Sequence, residues 1–550
     1  MRIAPPALLT ASLFAFAAAA DALPQQPPPP PPPPPGNQIT PAKVLLGKAL
    51  FWDEQLSATR TVACATCHIP QSGGSDPRSG TPGSIHPGPD GNFGTPDDIA
   101  GSPGVPLNQV DGKYTLSTAF GFAAQVTGRK APTMVNAVYS PLLFWDGRAD
   151  GSFSDPVTNA LILPFGAALE SQAAGPPVSD TEMAHVGADW PGVVARIQAS
   201  TPLALATNVP ADLANFIGGD DYPTLFEEAF GSPGVTAARV CMAIATYERT
   251  LLGTNAPINN VGPGGGGLTP QENQGRQVFN GPGRCNQCHV GPLFSDNQFH
   301  YIGVRPVLED LGRFDVTGNN QDRGAMKTPS LRNVELRGPY FHNGRFNSLE
   351  EVVDFYNRGG DFDAPNKAPQ IGPLGLNVQE RAALVAFLRR PLTDVRVRDG
   401  LPPFDGPTLY AGSNREPQIY GSQTVGTGNI APTVVAIEPP LVGNPNMTVA
   451  MQGALGGAPG VFALDTVPDF AGTPVFGTTM HIGLSSNIAI WRVPILAGVG
   501  AGNGWGSVTL EVPNDSALIG TSSFGQFFAL DLGGGPGRFS ATRGVMFTWF

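Results

Sequence analysis

Charge is scarce in this chain. Asp, Glu, Lys and Arg make up 14% of its 550 residues, against roughly 25% in ordinary soluble domains. Cations are scarcer still: 32 Lys and Arg face 44 Asp and Glu, for a formal net charge of −12. That balance argues against a nucleic-acid binder that works by neutralising phosphates. Five cysteines are too few for a disulfide scaffold. Beyond the first residues, no apolar run reaches the ~18 residues of a membrane-spanning helix. Gly (70) and Pro (58) are plentiful, and 41% of residues are hydrophobic. The composition predicts loop-rich globular domains with sizeable cores, about three of them for this length.

The opening MRIAPPALLTASLFAFAAAADALP carries one charge at Arg2, an apolar stretch and then small residues. It reads as a secretory signal peptide over 1–22, cleaved after Ala20 or Ala22, with an uncleaved anchor as the alternative. The expectation is an exported protein, periplasmic or associated with the cell surface, with no transmembrane helix in the mature chain. Residues 23–39 are proline-rich. The nine prolines Pro27 to Pro35 predict an extended polyproline II spacer.

From Thr40 the text is helical, with Thr40 as cap and Pro41 at the first helical position. Residues 69–128 read as a long loop. Helical patterns recur at 234–252, at 270–280 behind a Thr269–Glu272 capping box, at 348–357, and at 378–390 behind Asn377 and Glu380. After about 400 the pattern changes. Short alternating segments such as IAIWRVPIL and GSVTLEVP predict a separate all-β, sandwich-like domain over 425–550, joined by a linker at 401–424.

Two segments carry chemistry. Cys64-Ala65-Thr66-Cys67-His68 and Cys285-Asn286-Gln287-Cys288-His289 are both C-x-x-C-H, the attachment signature of c-type haem. Two thiols on one turn reach the two vinyl groups, and the next residue turns its imidazole under the iron. A single zinc held by both Cys pairs is the rival; the histidine after each pair and the export signal favour haem. The predicted cofactors are two covalently bound haems, one on Cys64, Cys67 and His68, the other on Cys285, Cys288 and His289. The fifth cysteine, Cys241, sits in an apolar helix and reads as a buried free thiol.

LLGKALFWDEQLSATRTVACATCH, GRKAPTMVNAVYSPLLFWDGRA, LESQAAGPPVSDTEM, FSDNQFHYIGV and KTPSLRNVELRGPYFHNGRFNSLEEVVDFY resemble the bacterial di-haem cytochrome c peroxidases and their relative, the maturase MauG. The resemblance covers about 40–395 and implies two mostly α c-type cytochrome domains, 40–255 for the peroxide-reacting haem and 256–400 for the electron-transfer haem. It implies catalytic roles for Glu182 and Gln172 over the open side of the first haem, with Pro176 helping to keep that face open. It places Trp145 between the haems as an electron relay. This chain takes 27 residues from Trp145 to Gln172, where the family takes fewer, which predicts an insertion near the active site.

The second haem's far-side ligand separates the subfamilies. Peroxidases of this type have a methionine and the maturase a tyrosine, and here the position is Tyr356, with Met326 the rival ligand. His342 matches a family histidine close to this haem. His86 is the candidate for a removable ligand on the first haem. His185 and His300 fall in family-like segments without an assigned role, and His481 reads as structural. The family's inter-haem calcium uses an Asn side chain where this chain has Lys130, and backbone carbonyls at the positions of Arg337 and Pro339. An ammonium cannot ligate calcium, so that ion is in question. Asp90, Asn92, Asp97 and Asp98 resemble an oxygen-rich loop but read first as a polar turn. The maturase's surface tryptophan before the second C-x-x-C-H is replaced here by GPGR.

The resemblance implies a peroxidase that reduces hydrogen peroxide with electrons from a small donor protein, a cytochrome c or a cupredoxin. Two alternatives stand beside it. One is a MauG-like oxidase that uses high-valent haem on an organic or protein substrate. The other is a non-enzymatic electron-transfer cytochrome. Nothing in 425–550 shows chemistry; surface attachment or partner binding is the reading left for it.

Overall fold

A computed structural model describes residues 26–262, 266–534 and 537–550; the expected signal peptide lies outside them. Six helices position the site residues: α1 (Pro41–Trp52), α2 (Ala168–Ala173), α3 (Ala237–Glu248), α4 (Pro270–Asn280), α5 (Leu349–Arg358) and α6 (Val378–Leu388). Thr40 caps α1 by accepting from the Lys43 amide, with Pro41 next. Capping boxes open α4 (Thr269, Glu272), α5 (Ser348, Glu351) and α6 (Asn377, Glu380). Each box satisfies two backbone donors that the helix itself leaves unpaired.

The two halves use one device. The helix before each C-x-x-C-H crosses a later helix at a glycine. A Cβ on Gly47 of α1 would lie 2.0 Å from the Ala243 carbonyl oxygen of α3, and one on Gly275 of α4 would lie 2.0 Å from that of Ala383 of α6. Only glycine allows so close an approach of backbones. A separate buried cluster forms around each crossing, the first with Leu50, Phe51 and Tyr247, the second with Phe279, Phe294 and Phe387.

The proline run is not a free rod. Gln26 Nε2 donates to the Asn259 carbonyl at 2.9 Å, and Tyr139 Oη to the Pro28 carbonyl at 2.9 Å. Asn37 is fully buried and donates to Glu170 Oε1 at 2.7 Å and to the Met242 carbonyl at 2.9 Å. The segment is a strap laid along the body.

The C-terminal region is two facing antiparallel sheets and a hairpin. One sheet runs 489–493, 460–465, 522–530, 544–548 and 418–420, with 539–541 beside 522–530; the other runs 500–510, 447–456 and 433–435; the hairpin pairs 468–475 with 478–482. The core between the sheets holds Met447, Phe462, Phe527 and Phe547, and Phe462 and Phe527, paired in register, lie 4.7 Å apart by ring centroid. Strand 418–420 comes from the segment expected to be linker.

That region is bonded to the first half. Glu54, next to α1, accepts from the backbone amides of Tyr410 (2.6 Å) and Ala411 (3.0 Å). Tyr114 Oη donates to Glu438 Oε1 at 2.8 Å, and its carbonyl accepts from Ser507 Oγ at 3.1 Å. Phe122 stands edge-on to Trp505 at 5.6 Å. Burial raises Glu54 to about 7 and Glu438 to about 8, against the bonds that favour their charged forms. An acid raised in this way holds its proton when folded and releases it when unfolded. Its contribution to stability is therefore greatest below the ordinary value of 4.5 and falls as pH rises towards about 8. We expect Glu438→Gln to keep the Tyr114 bond and flatten the fall of Tm across that window. An unchanged slope would refute the assignment.

Candidate active site

Cys64–Cys67 form one helical turn, and the His68 amide donates back to the Cys64 carbonyl at 3.1 Å. His68 Nδ1 lies 3.1 Å from the Gly74 carbonyl oxygen, an acceptor, so Nδ1 carries the proton and Nε2 keeps its lone pair. Burial lowers the His68 pKa, favouring the neutral imidazole. The second motif repeats this: His289 Nδ1 lies 2.9 Å from the Phe294 carbonyl oxygen, and burial again lowers its pKa.

A cavity of about 680 Å³ opens beside the first motif, with Cys64, Cys67, His68, Trp145, Gln172 and Glu182 in its wall. That is the size of a cofactor pocket. The short helix α2 turns Leu169, Gln172 and Ala173 into it, residues spaced to share one helical face. The other face is locked. Glu170, fully buried, takes a bidentate pair from Arg249 (2.9 and 2.7 Å) and the bond from Asn37 in the strap. Glu182 follows the Pro176–Val178 turn, where its amide donates to Ser179 Oγ at 3.3 Å. Behind it, a Cβ on Gly104 would lie 2.7 Å from the Glu182 Cα. Burial pushes the Glu182 carboxyl above its ordinary value, with the Arg148 charge opposing.

The second cavity is narrower, about 180 Å³, and mostly apolar. It holds Cys285, Cys288 and His289 together with Tyr356, Met326 and His342. Leu349, Val352, Val353 and Tyr356 of α5 line it, again one helical face. His342 is 5% exposed, and its Nε2 has no hydrogen-bond partner. Cys288, Asp296 and His300 bring three ligand-type atoms within 4.8 Å, the one such group of three among the described residues. His300 Nε2 lies 2.8 Å from Asp296 Oδ2 and is raised to about 9, first by its contact with Cys288. In each cavity two thiols and an imidazole whose Nδ1 faces a backbone carbonyl line one space, the donor set a c-type haem needs.

Four side chains line both cavities: Trp145, Arg305, Asp310 and Lys327. Trp145 Nε1 donates to the Lys130 carbonyl at 2.8 Å, and its ring stands edge-on to His342 at 6.2 Å. Lys130 is 3% exposed, and its ammonium donates to Ser75 Oγ. Burial and the Arg337 charge lower it to about 7.

The remaining candidates divide between the first cavity and other parts of the fold. His86 lines the first cavity, with its Nδ1 accepting from the Gly88 amide at 3.1 Å. The insertion forms a small ladder, 153–154 with 161–163, but none of residues 150–167 walls the cavity. Leu163 is buried in the first core instead, and the Gly166 carbonyl accepts from Arg249 at 3.2 Å. The Asp90–Asp98 carboxylates accept from amides of their own loop, as in a polar turn. His185 is half-buried, its Nδ1 2.9 Å from the Val186 carbonyl. His481 is buried in the β region, accepting from the Ser422 amide. Cys241 is fully buried.

Sequence reasoning missed Glu248. It lines the first cavity, its Oε2 has no partner, and burial raises it to about 8. The available signal was a lone acid ending an apolar helix.

Residues 41–264 match the family described as "Di-haem cytochrome c peroxidase". The methylamine utilization protein MauG of Methylorubrum extorquens is 33% identical over 356 residues, 64% of this chain and 78% of that protein. The cytochrome c551 peroxidase of Nitrosomonas europaea is 30% identical over 318 residues, 57% of this chain and 72% of that protein. Among solved structures, a MauG-like protein associated with microbial copper homeostasis is 25% identical, with a TM-score of 0.49, over 70% of this chain and 97% of that one. With its two C-x-x-C-H motifs and its sequence identity to the MauG protein and the cytochrome c551 peroxidase over more than two thirds of each, the chain belongs to the di-haem cytochrome c peroxidase family.

Proposed function

We propose that the chain reduces hydrogen peroxide to water at the first cavity, with Glu182 as the acid–base group and Gln172 orienting the substrate. The carrying observation is a half-buried carboxyl with a raised pKa and an amide that line one cavity with the first C-x-x-C-H. Cys64, Cys67 and His68 here, and Cys285, Cys288 and His289 in the second cavity, would hold the two haems, which would supply redox-active iron and relay the electrons for splitting the O–O bond. Glu182 takes the proton from the inner peroxide oxygen and returns it to the outer one, which leaves as water. The balance is one peroxide, two protons and two electrons to two waters. The electrons come from a small donor protein, and the indole of Trp145 lies on the route between the cavities.

Tyr356 is proposed as the residue that, with His289, would hold the haem iron in the second cavity, with Met326 the competing donor. Tyr356 also favours a second reading, in which the oxidising equivalents act on an organic or protein substrate. Export to the periplasm fits both readings, and among the described residues no helix is long and apolar enough to cross a membrane. Lys130, whose ammonium offers no lone pair to a cation, argues against an inter-haem calcium.

Optical and EPR spectra of the all-ferric holoprotein, before and after one equivalent of peroxide, separate these readings. Direct reaction is expected if Tyr356 is the ligand. Reaction only after one-electron reduction would replace it with a gated design and bring His86 or Met326 forward. No reaction in either state would overturn the assigned roles.

A further inference from the structure

Between the two C-x-x-C-H cavities lies a third, of about 120 Å³, that the proposed reaction does not use. Its wall carries three cations, Lys130, Lys327 and Arg337, and no carboxylate. Lys130 and Arg337 are 3% and 8% exposed. The nearest acids are engaged elsewhere: Asp76 by Arg78 at 2.8 Å, and Asp146 by Arg129 and Arg148 at 2.6 and 2.9 Å. Lys327 is satisfied by Ser140 Oγ at 2.8 Å and the Leu142 carbonyl at 2.7 Å. Arg337 is not. Its Nη2 donates to the Ser330 carbonyl, but its Nε is buried without a partner. Taking such ions out of water costs several kcal/mol each unless a counter-charge or dense hydrogen bonding offsets it. The volume holds a small anion with some water, a water's share of liquid volume being about 30 Å³.

We infer that this cavity is an anion cradle, in which Lys130 and Arg337 hold one small monovalent anion between the two haem sites. Two sources share that chemistry: a carboxylate arm of a bound haem, and a free halide. The inference needs both haems in place but none of the roles given to Glu182, Gln172 or Tyr356, and the optical haem count checks that condition separately.

The test is a potentiometric titration of both haems in the fully loaded protein, in sodium chloride and in sodium gluconate at equal ionic strength. It is repeated on Lys130→Gln and Arg337→Gln. A free halide gives wild-type potentials that move saturably with chloride, a response lost in both variants. A haem carboxylate gives no chloride response, but the variants make at least one haem harder to reduce. The expected change is about tenfold in the reduced-to-oxidised ratio at fixed potential, 59 mV for one electron. If neither variant loads both haems, a loaded Lys130→Arg supports the charge requirement. The cradle is overturned if chloride has no effect and the variants match wild type. It is equally overturned if chloride has no effect and Lys130→Arg also fails to load.

Discussion

Glu182→Gln is expected to lower the turnover of hydrogen peroxide by about 10²–10⁴-fold, the usual worth of a positioned acid–base group. Haem content, the EPR spectrum and the circular dichroism should stay as in wild type. Glutamine keeps the size of the side chain and removes only the proton transfer. The pH dependence adds a sharper criterion. Burial raises the Glu182 carboxyl above its ordinary value, and the group must be charged to take the first proton. Turnover should therefore fall on the acid side at a pH above the ordinary carboxylate range, and that limb should vanish in the variant. Gln172→Leu should cost less and act more through KM, since an orienting amide transfers no proton. If Glu182→Gln turned over normally, Glu248 would become the candidate base, being buried in the same cavity with an unpartnered Oε2.

Tyr356→Met is the second large expectation. A phenolate is a hard, anionic ligand, whereas a Met/His pair raises the potential. The substitution should raise the second haem's potential on the order of 200 mV, within the roughly 0.8 V that axial ligands command. The protein should then require prior reduction before it reacts with peroxide. The ring packs between Phe341 and Phe355, at 6.1 and 5.1 Å by centroid, so Tyr356→Phe controls for packing. If Tyr356→Phe left the spectrum and potential unchanged, the tyrosine would be part of the core and Met326 would take its place.

Much of this molecule was legible in its letters. The caps at Thr40, Thr269 and Asn377 announce helices because a side-chain oxygen at a helix start satisfies amides that nothing else can. The C-x-x-C-H pairs announce their chemistry because geometry demands that spacing. Tyr356 is named by the resemblance alone, and α5 turns it into the second cavity beside Leu349, Val352 and Val353. What stayed hidden depends on long-range packing. The insertion turns away from the cavity because Leu163 finds the first core, which no local pattern encodes. The proline run reads as a spacer because polyproline II makes no internal bonds; its anchors at Tyr139 and Asn259 lie more than a hundred residues away. Glu248 looks like an ordinary helix end until the cavity is seen.

The seam between the β region and the first half makes the obvious truncation a poor control. Cutting the chain near residue 400 would remove the Tyr410 and Ala411 amides from Glu54. Tyr114 would lose Glu438 and Phe122 its aromatic neighbour. Glu54 lies two residues beyond α1, the helix that leads into the first C-x-x-C-H. A shortened protein that lost activity would say nothing about whether the β region takes part in the reaction. It would report instead that one part of the chain supplies the other's missing hydrogen bonds. The role of the β region is better sought by changing its outward face and leaving its inner one intact.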